Sequence, residues 1–126
     1  MKKLIISSVT LLSLNAAHAD IIKCVFTEPF VNTTYSMTQS TLTSDNESEQ
    51  KVQTIKNVSF QIKSAGVFEL VSKDGKVLQT LILNNQGSDG MSDNIFPYEV
   101  QDSTLATGAN SGIGGCYSNS LKIIKK

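Results

Sequence analysis

Arginine is missing from the 126-residue chain, and its single histidine, His18, lies within the first nineteen residues. Those nineteen read as an export signal that is removed. Lys2 and Lys3 form the positive start, Leu4 to Leu14 the apolar stretch, and Ala17-His18-Ala19 the small-residue cleavage site. Cleavage after Ala19 leaves a single domain, residues 20–126, without any imidazole or guanidinium group. The lack of histidine excludes Ser-His-Asp and Cys-His catalysis, and also zinc or copper sites built on imidazole. Once Lys2 and Lys3 are gone, 9 lysines face 11 acids, a net charge of −2. A nucleic-acid binder needs a basic footprint and favours arginine for bidentate contacts, so that class is excluded as well.

Long apolar runs are also lacking. No stretch after the signal approaches the roughly 20 residues of a membrane-spanning helix. A lipid anchor is not expected either: Cys24 follows Ile-Ile-Lys, whereas a lipoprotein signal places a small residue directly before its cysteine. The expected location is the periplasm or the medium. Cysteine is scarce, with Cys24 near the start of the exported chain and Cys116 near its end. In an oxidising compartment two cysteines without a Cys-x-x-Cys motif are expected to form one structural disulfide.

What the chain does contain is short β-type runs. Ile21–Phe26 reads as a first strand, ended by Glu28-Pro29 because Pro29 cannot donate to a ladder. Val31, Thr33, Tyr35 and Met37 alternate with polar residues, a half-buried strand continuing toward Thr43. Residues 44–50 read as a solvated acidic loop, and 52–63 as the next strand. Ala65-Gly66 makes a turn. Residues 67–83 form a hairpin around Asp74-Gly75, a pair that suits a type I′ turn. The apolar run Val77–Leu83 is expected to be the most buried strand. Residues 98–101 and 121–124 complete the set, while the glycine-rich 107–115 reads as a flexible loop leading to Cys116. No run of helical period appears. The expected fold is all-β: a small single-domain antiparallel barrel or sandwich of about seven short strands, closed by one disulfide.

The stretch with the most chemistry is residues 87–98, Gly-Ser-Asp-Gly-Met-Ser-Asp-Asn-Ile-Phe-Pro-Tyr. Asp89, Gly90, Met91, Ser92 and Asp93, with Phe96, Pro97 and Tyr98, form the candidate binding loop. Two acids and Asn94 beside Gly90 suggest a hard cation. Yet the spacing is not that of an EF-hand loop, and no glutamate closes it. Asp89 and Ser92 bonding to their own backbone explains the same residues. Phe96, Pro97 and Tyr98, with Phe30, could anchor a partner or plug the end of a barrel. Glycosidase-type chemistry needs two carboxylates about 5–10 Å apart in a cleft. Glu28, Glu69, Asp89, Asp93 and Glu99 are available, but nothing in the sequence pairs them. Gly112-Ile113-Gly114-Gly115 lacks the Gly-Lys-Ser/Thr of a phosphate loop, and no cofactor is implied.

Asp89-Gly90-Met91-Ser92-Asp93, then Phe96-Pro97-Tyr98 and later Gly115-Cys116, resembles an uncharacterised family of exported bacterial proteins. Their shared stretch is C-x-D-G-M-S-D-x-x-Y-P followed by Gly-Cys. Glu28, Pro29 and Phe30 resemble the family's upstream G-x-E-P-F-W segment, with Val31 in place of the tryptophan. Gly87 stands where that family has its first cysteine, which leaves Cys24 as the partner for Cys116. A fainter similarity is to periplasmic inhibitors of c-type lysozyme. These are small β-barrels that bridge a first-strand cysteine to one near the C-terminus. Ser111-Gly112-Ile113-Gly114-Gly115 lacks the tyrosine of their Ser-Gly-x-x-Tyr loop. The expectation is a non-enzymatic exported domain that binds a protein or envelope ligand through the face of the 87–98 loop. A lysozyme inhibitor and a carboxylate-dependent envelope enzyme are the alternatives.

Overall fold

The computed structural model describes residues 21–26, 30–47, 49–103 and 113–124. Nine strands and no helix are found among them. The strands are β1 (Ile21–Phe26), β2 (Val31–Ser36), β3 (Thr41–Asn46), β4 (Lys51–Ile55), β5 (Ser59–Ser64), β6 (Val67–Val71), β7 (Val77–Gly87), β8 (Phe96–Asp102) and β9 (Ile113–Ser118). The signal segment, Glu28, Pro29 and most of 107–115 lie outside the described residues.

All nine strands join one antiparallel sheet in the order β4-β3-β2-β1-β9-β8-β7-β6-β5. With an odd number of strands, the two edges β4 and β5 run in the same direction. Only Lys56, Asn57 and Val58 join them. That link spans at most about 14 Å, whereas the edges of a flat sheet this wide would stand about 38 Å apart. The sheet therefore curls until its edges meet end to end, with residues 51–64 forming one bent run. The first half pairs with β3 and the second with β6, and β4 and β5 share no ladder. Val58 pins the crossing: its N–H donates to the Ser40 carbonyl (2.8 Å), and its carbonyl accepts from the Tyr35 hydroxyl (2.8 Å).

Period-2 alternation directs one face inward. Ile22, Cys24 and Phe26 of β1 meet Val31 and Tyr35 of β2, Leu42 of β3, Leu70 of β6, Leu78 and Leu81 of β7, and Val100 of β8. Full burial of such side chains stabilises the fold by about 1.5–3 kcal/mol each. Cys24 and Cys116 lie directly opposite on β1 and β9 and are bridged (S–S 2.00 Å), so the first and last strands are neighbours. Beside the bridge sits Gln79, fully buried, whose Nε2 donates to Thr33 Oγ1 at 3.0 Å. Its Oε1 lies 3.9 Å from Cys24 Sγ. The bridged sulfur carries no hydrogen, so this is a contact and not a hydrogen bond.

Several expectations are corrected. Among the described residues there are nine strands, not about seven, in one sheet whose ladder is not closed. The single strand expected over 31–43 folds back at 37–40, where Ser40 has φ 55°. The strand expected over 52–63 breaks at Asn57, with φ 63°. The acidic loop expected over 44–50 gives its first residues to β3, with Ser44 buried. The hairpin over 67–83 forms, but Gly75 alone has positive φ (92°). Ser72 C=O accepts from Gly75 N–H (2.9 Å), and Ser72 N–H donates to Lys76 C=O (2.8 Å). That is a type I turn followed by a left-handed glycine, not type I′. Val77–Leu83 is not the most buried strand: Ile82 and Leu83 are 39% exposed, while most of β8 is buried. Residues 121–124 contribute only the Ile95–Ile124 bridge. The last strand is Ile113–Ser118, in part of the stretch expected to be a loop. Gly114 and Gly115 serve close packing there. A Cβ on Gly114 would stand 2.3 Å from the Val25 carbonyl oxygen, and one on Gly115 2.6 Å from the Phe96 ring.

Candidate functional site

β7 and β8 converge on the candidate loop. Their ladder shifts register between Leu83 and Gly87, where Asn85 adopts φ 58°. Asn84 holds the bulge: its Oδ1 accepts from Gln86 N–H (2.9 Å) and its Nδ2 donates to Glu99 Oε1 (2.7 Å). Gly87 then pairs with Phe96, and residues 88–95 project from the sheet end.

Inside the loop the side chains bond to their own backbone. Asp89 Oδ1 accepts from the N–H groups of Met91 (2.9 Å) and Ser92 (2.8 Å), and Oδ2 accepts from Ser92 Oγ (2.9 Å). Ser88 Oγ accepts from Gly90 N–H (3.0 Å), and Ser92 Oγ from Asn94 N–H (3.2 Å). Gly90 supplies the left-handed turn residue, with φ 84°. Partial burial pushes the Asp89 carboxyl upward, but the bonds from Ser92 and Met91 outweigh it and hold the group below the usual carboxylate range. Asx and Ser turns thus account for the loop's conformation. Among the described residues no three or more of Asp, Glu, His and Cys cluster as metal ligands would.

The candidate residues divide into two sets. Met91 stands 66% exposed at the loop's outer edge, and Ser92 and Asp93 are exposed beside it. Phe96, Pro97 and Tyr98 are buried. Phe96 covers Gly115 and packs against Tyr117, with ring centroids 6.0 Å apart. Tyr98 points inward, edge-on to Phe68 at 6.2 Å, and burial pushes its hydroxyl pKa up. The aromatic cluster belongs to the packing, and the surface of the loop is Ser88–Asp93. Phe30 is 47% exposed at the start of β2. The ladder sets adjoining Val31 level with Phe26, Gly114 and Val100, at the end of the strands opposite the loop. The fold does not bring it to the candidate site.

The other carboxylates do not converge either. Glu69 Oε2 pairs with Lys63 Nζ at 3.4 Å, and Glu99 is held by Asn84. Glu99 lines a depression of about 180 Å³ with Thr80, Ile82, Val100 and Gln101 on the outer face of β7 and β8. The buried Gln79–Thr33 pair is legible only in retrospect, as polar residues at inward positions of their strands. No family model, curated protein or solved structure matches the chain.

Proposed function

We propose that this protein is an exported, non-enzymatic binding domain of the bacterial envelope whose recognition face is Ser88–Asp93. The observation that carries this reading is the Asp89 cradle. Three hydrogen bonds to one carboxylate fix a loop that holds Met91 out in solvent between two acids. A loop already ordered before contact loses little conformational entropy on binding, and an exposed methionine adapts to varied apolar surfaces. The internal disulfide suits an oxidising compartment, and no helix among the described residues is long and apolar enough to cross a membrane.

A second reading, inhibition of a c-type lysozyme, draws support from the Cys24–Cys116 bridge between the first and last strands. Both readings meet one test: capture of envelope proteins by the disulfide-bonded chain, with and without calcium, and with purified lysozyme as a separate bait. The binding reading expects a partner that Met91→Ala and Asp93→Ala weaken while the fold is kept. Captured and inactivated lysozyme selects the second reading. Capture that survives both substitutions removes the loop from the interface.

A further inference from the structure

A groove of about 240 Å³ runs along the outer face of β1 and β9. Ile21, Lys23, Tyr117, Ser118, Asn119 and Lys122 line it. Lys23 and Tyr117 are opposite one another in the ladder, and both face out because their neighbours Cys24 and Cys116 face in. The segment after β9 turns back to form the far wall. Ser118 Oγ accepts from the N–H groups of Ser120 (3.3 Å) and Leu121 (2.9 Å). Asn119 N–H donates to the Ile21 carbonyl (3.4 Å), and Ile124 bridges Ile95. Ser118 and Asn119 therefore build the wall, while Lys23, Lys122 and the Tyr117 hydroxyl remain to meet a ligand. Among the described residues the one ion pair joins Lys63 to Glu69, and no described carboxylate pairs with either groove lysine.

Among the described residues no acid lines this groove, although residues 20–126 carry more acids than lysines. Two ammonium groups sharing a concave wall concentrate positive potential where an anion can sit. A phenol hydroxyl adds a directional donor, and Ile21 and the Tyr117 ring offer apolar surface beside it. We propose that this groove binds a ligand through a single carboxylate or phosphate group. Lys23 and Lys122 neutralise the anion, Tyr117 donates to it, and the body of the ligand lies against Ile21 and the Tyr117 ring. The proposal does not depend on the loop: a partner of Met91 could be captured whether or not the groove is filled.

The test is a titration of the disulfide-bonded chain, followed by backbone amide NMR at low ionic strength. Benzoate, acetate and inorganic phosphate are added in separate arms. Saturable shifts at Lys23, Tyr117, Asn119 and Lys122 are expected in at least one arm, weakened by added salt. Lys23→Gln and Lys122→Gln should each weaken binding about fivefold, a size suited to an exposed ion contact. Both lysines are exposed, so the variants should keep the remaining spectrum. Benzoate stronger than acetate marks a carboxylate on an apolar body, and phosphate stronger than both marks a phosphate ester. No saturable shift in any arm overturns the proposal, as does binding that the double variant retains.

Discussion

Asp89 is where a single ionisation controls local order. Its folded pKa lies below the unfolded value of about 3.9. The contribution of the carboxylate is therefore complete above that value and is lost as pH falls through the folded pKa. An acid titration from about pH 5 to 2 should move the amide resonances of Met91 and Ser92 together, with a midpoint below about 3.9. Asp89→Asn should remove that transition while leaving the strands folded. Tyr35 makes a second single-residue contribution, since its hydroxyl reaches from β2 to the carbonyl of Val58. Tyr35→Phe leaves that buried carbonyl without its donor and should cost about 1–3 kcal/mol in denaturant unfolding.

Among the elements, β9 has two positions with no room for added volume. Gly115→Ala drives a methyl group into the Phe96 ring and should destabilise the fold by about 1–3 kcal/mol. Gly114→Ala meets backbone, which can yield less, and should be worse. Thermal unfolding of the two variants ranks them.

The same strand shows why parts of the fold were not legible in the sequence. A short β-type run marked β1, period 2 marked β2, and the Ala65-Gly66 and Asp74-Gly75 turns framed β6. The turns at Ser40 and Asn57 escaped because serine and asparagine carry the positive φ in place of glycine. In β9, glycine signals flexibility locally, and only the approach of Phe26 and Phe96 from other strands makes it a packing requirement. At the candidate site, the Asp89 turn was legible because its partners lie two and three residues on. Burial of Phe96 and Tyr98 was one of the two readings the sequence offered, but their partners Gly115, Tyr117 and Phe68 lie on other strands and were not legible.

For the whole molecule, the disulfide governs the unfolded ensemble. It joins residues 92 apart, and in the chain-entropy model such a closure contributes about 4–5 kcal/mol. A Cys24→Ser, Cys116→Ser variant should therefore show a much lower midpoint in urea, or fail to accumulate folded when exported. Equal stability of the two forms would mean that the sheet alone holds the curl.

The neighbouring positions of β1 and β9 carry a consequence for topology. Read from β5 through β9 and then from β1 to β4, the sheet is a plain meander in which every strand pairs with its successor. The natural chain is a circular permutation of that meander, cut between β9 and β1, with a mid-ladder disulfide joining the two strands that a hairpin turn would otherwise connect. A permuted chain with its old ends joined by a short linker and new ends in the Lys73–Gly75 turn should build the same sheet. It should also lose far less stability than the natural chain when its disulfide is reduced.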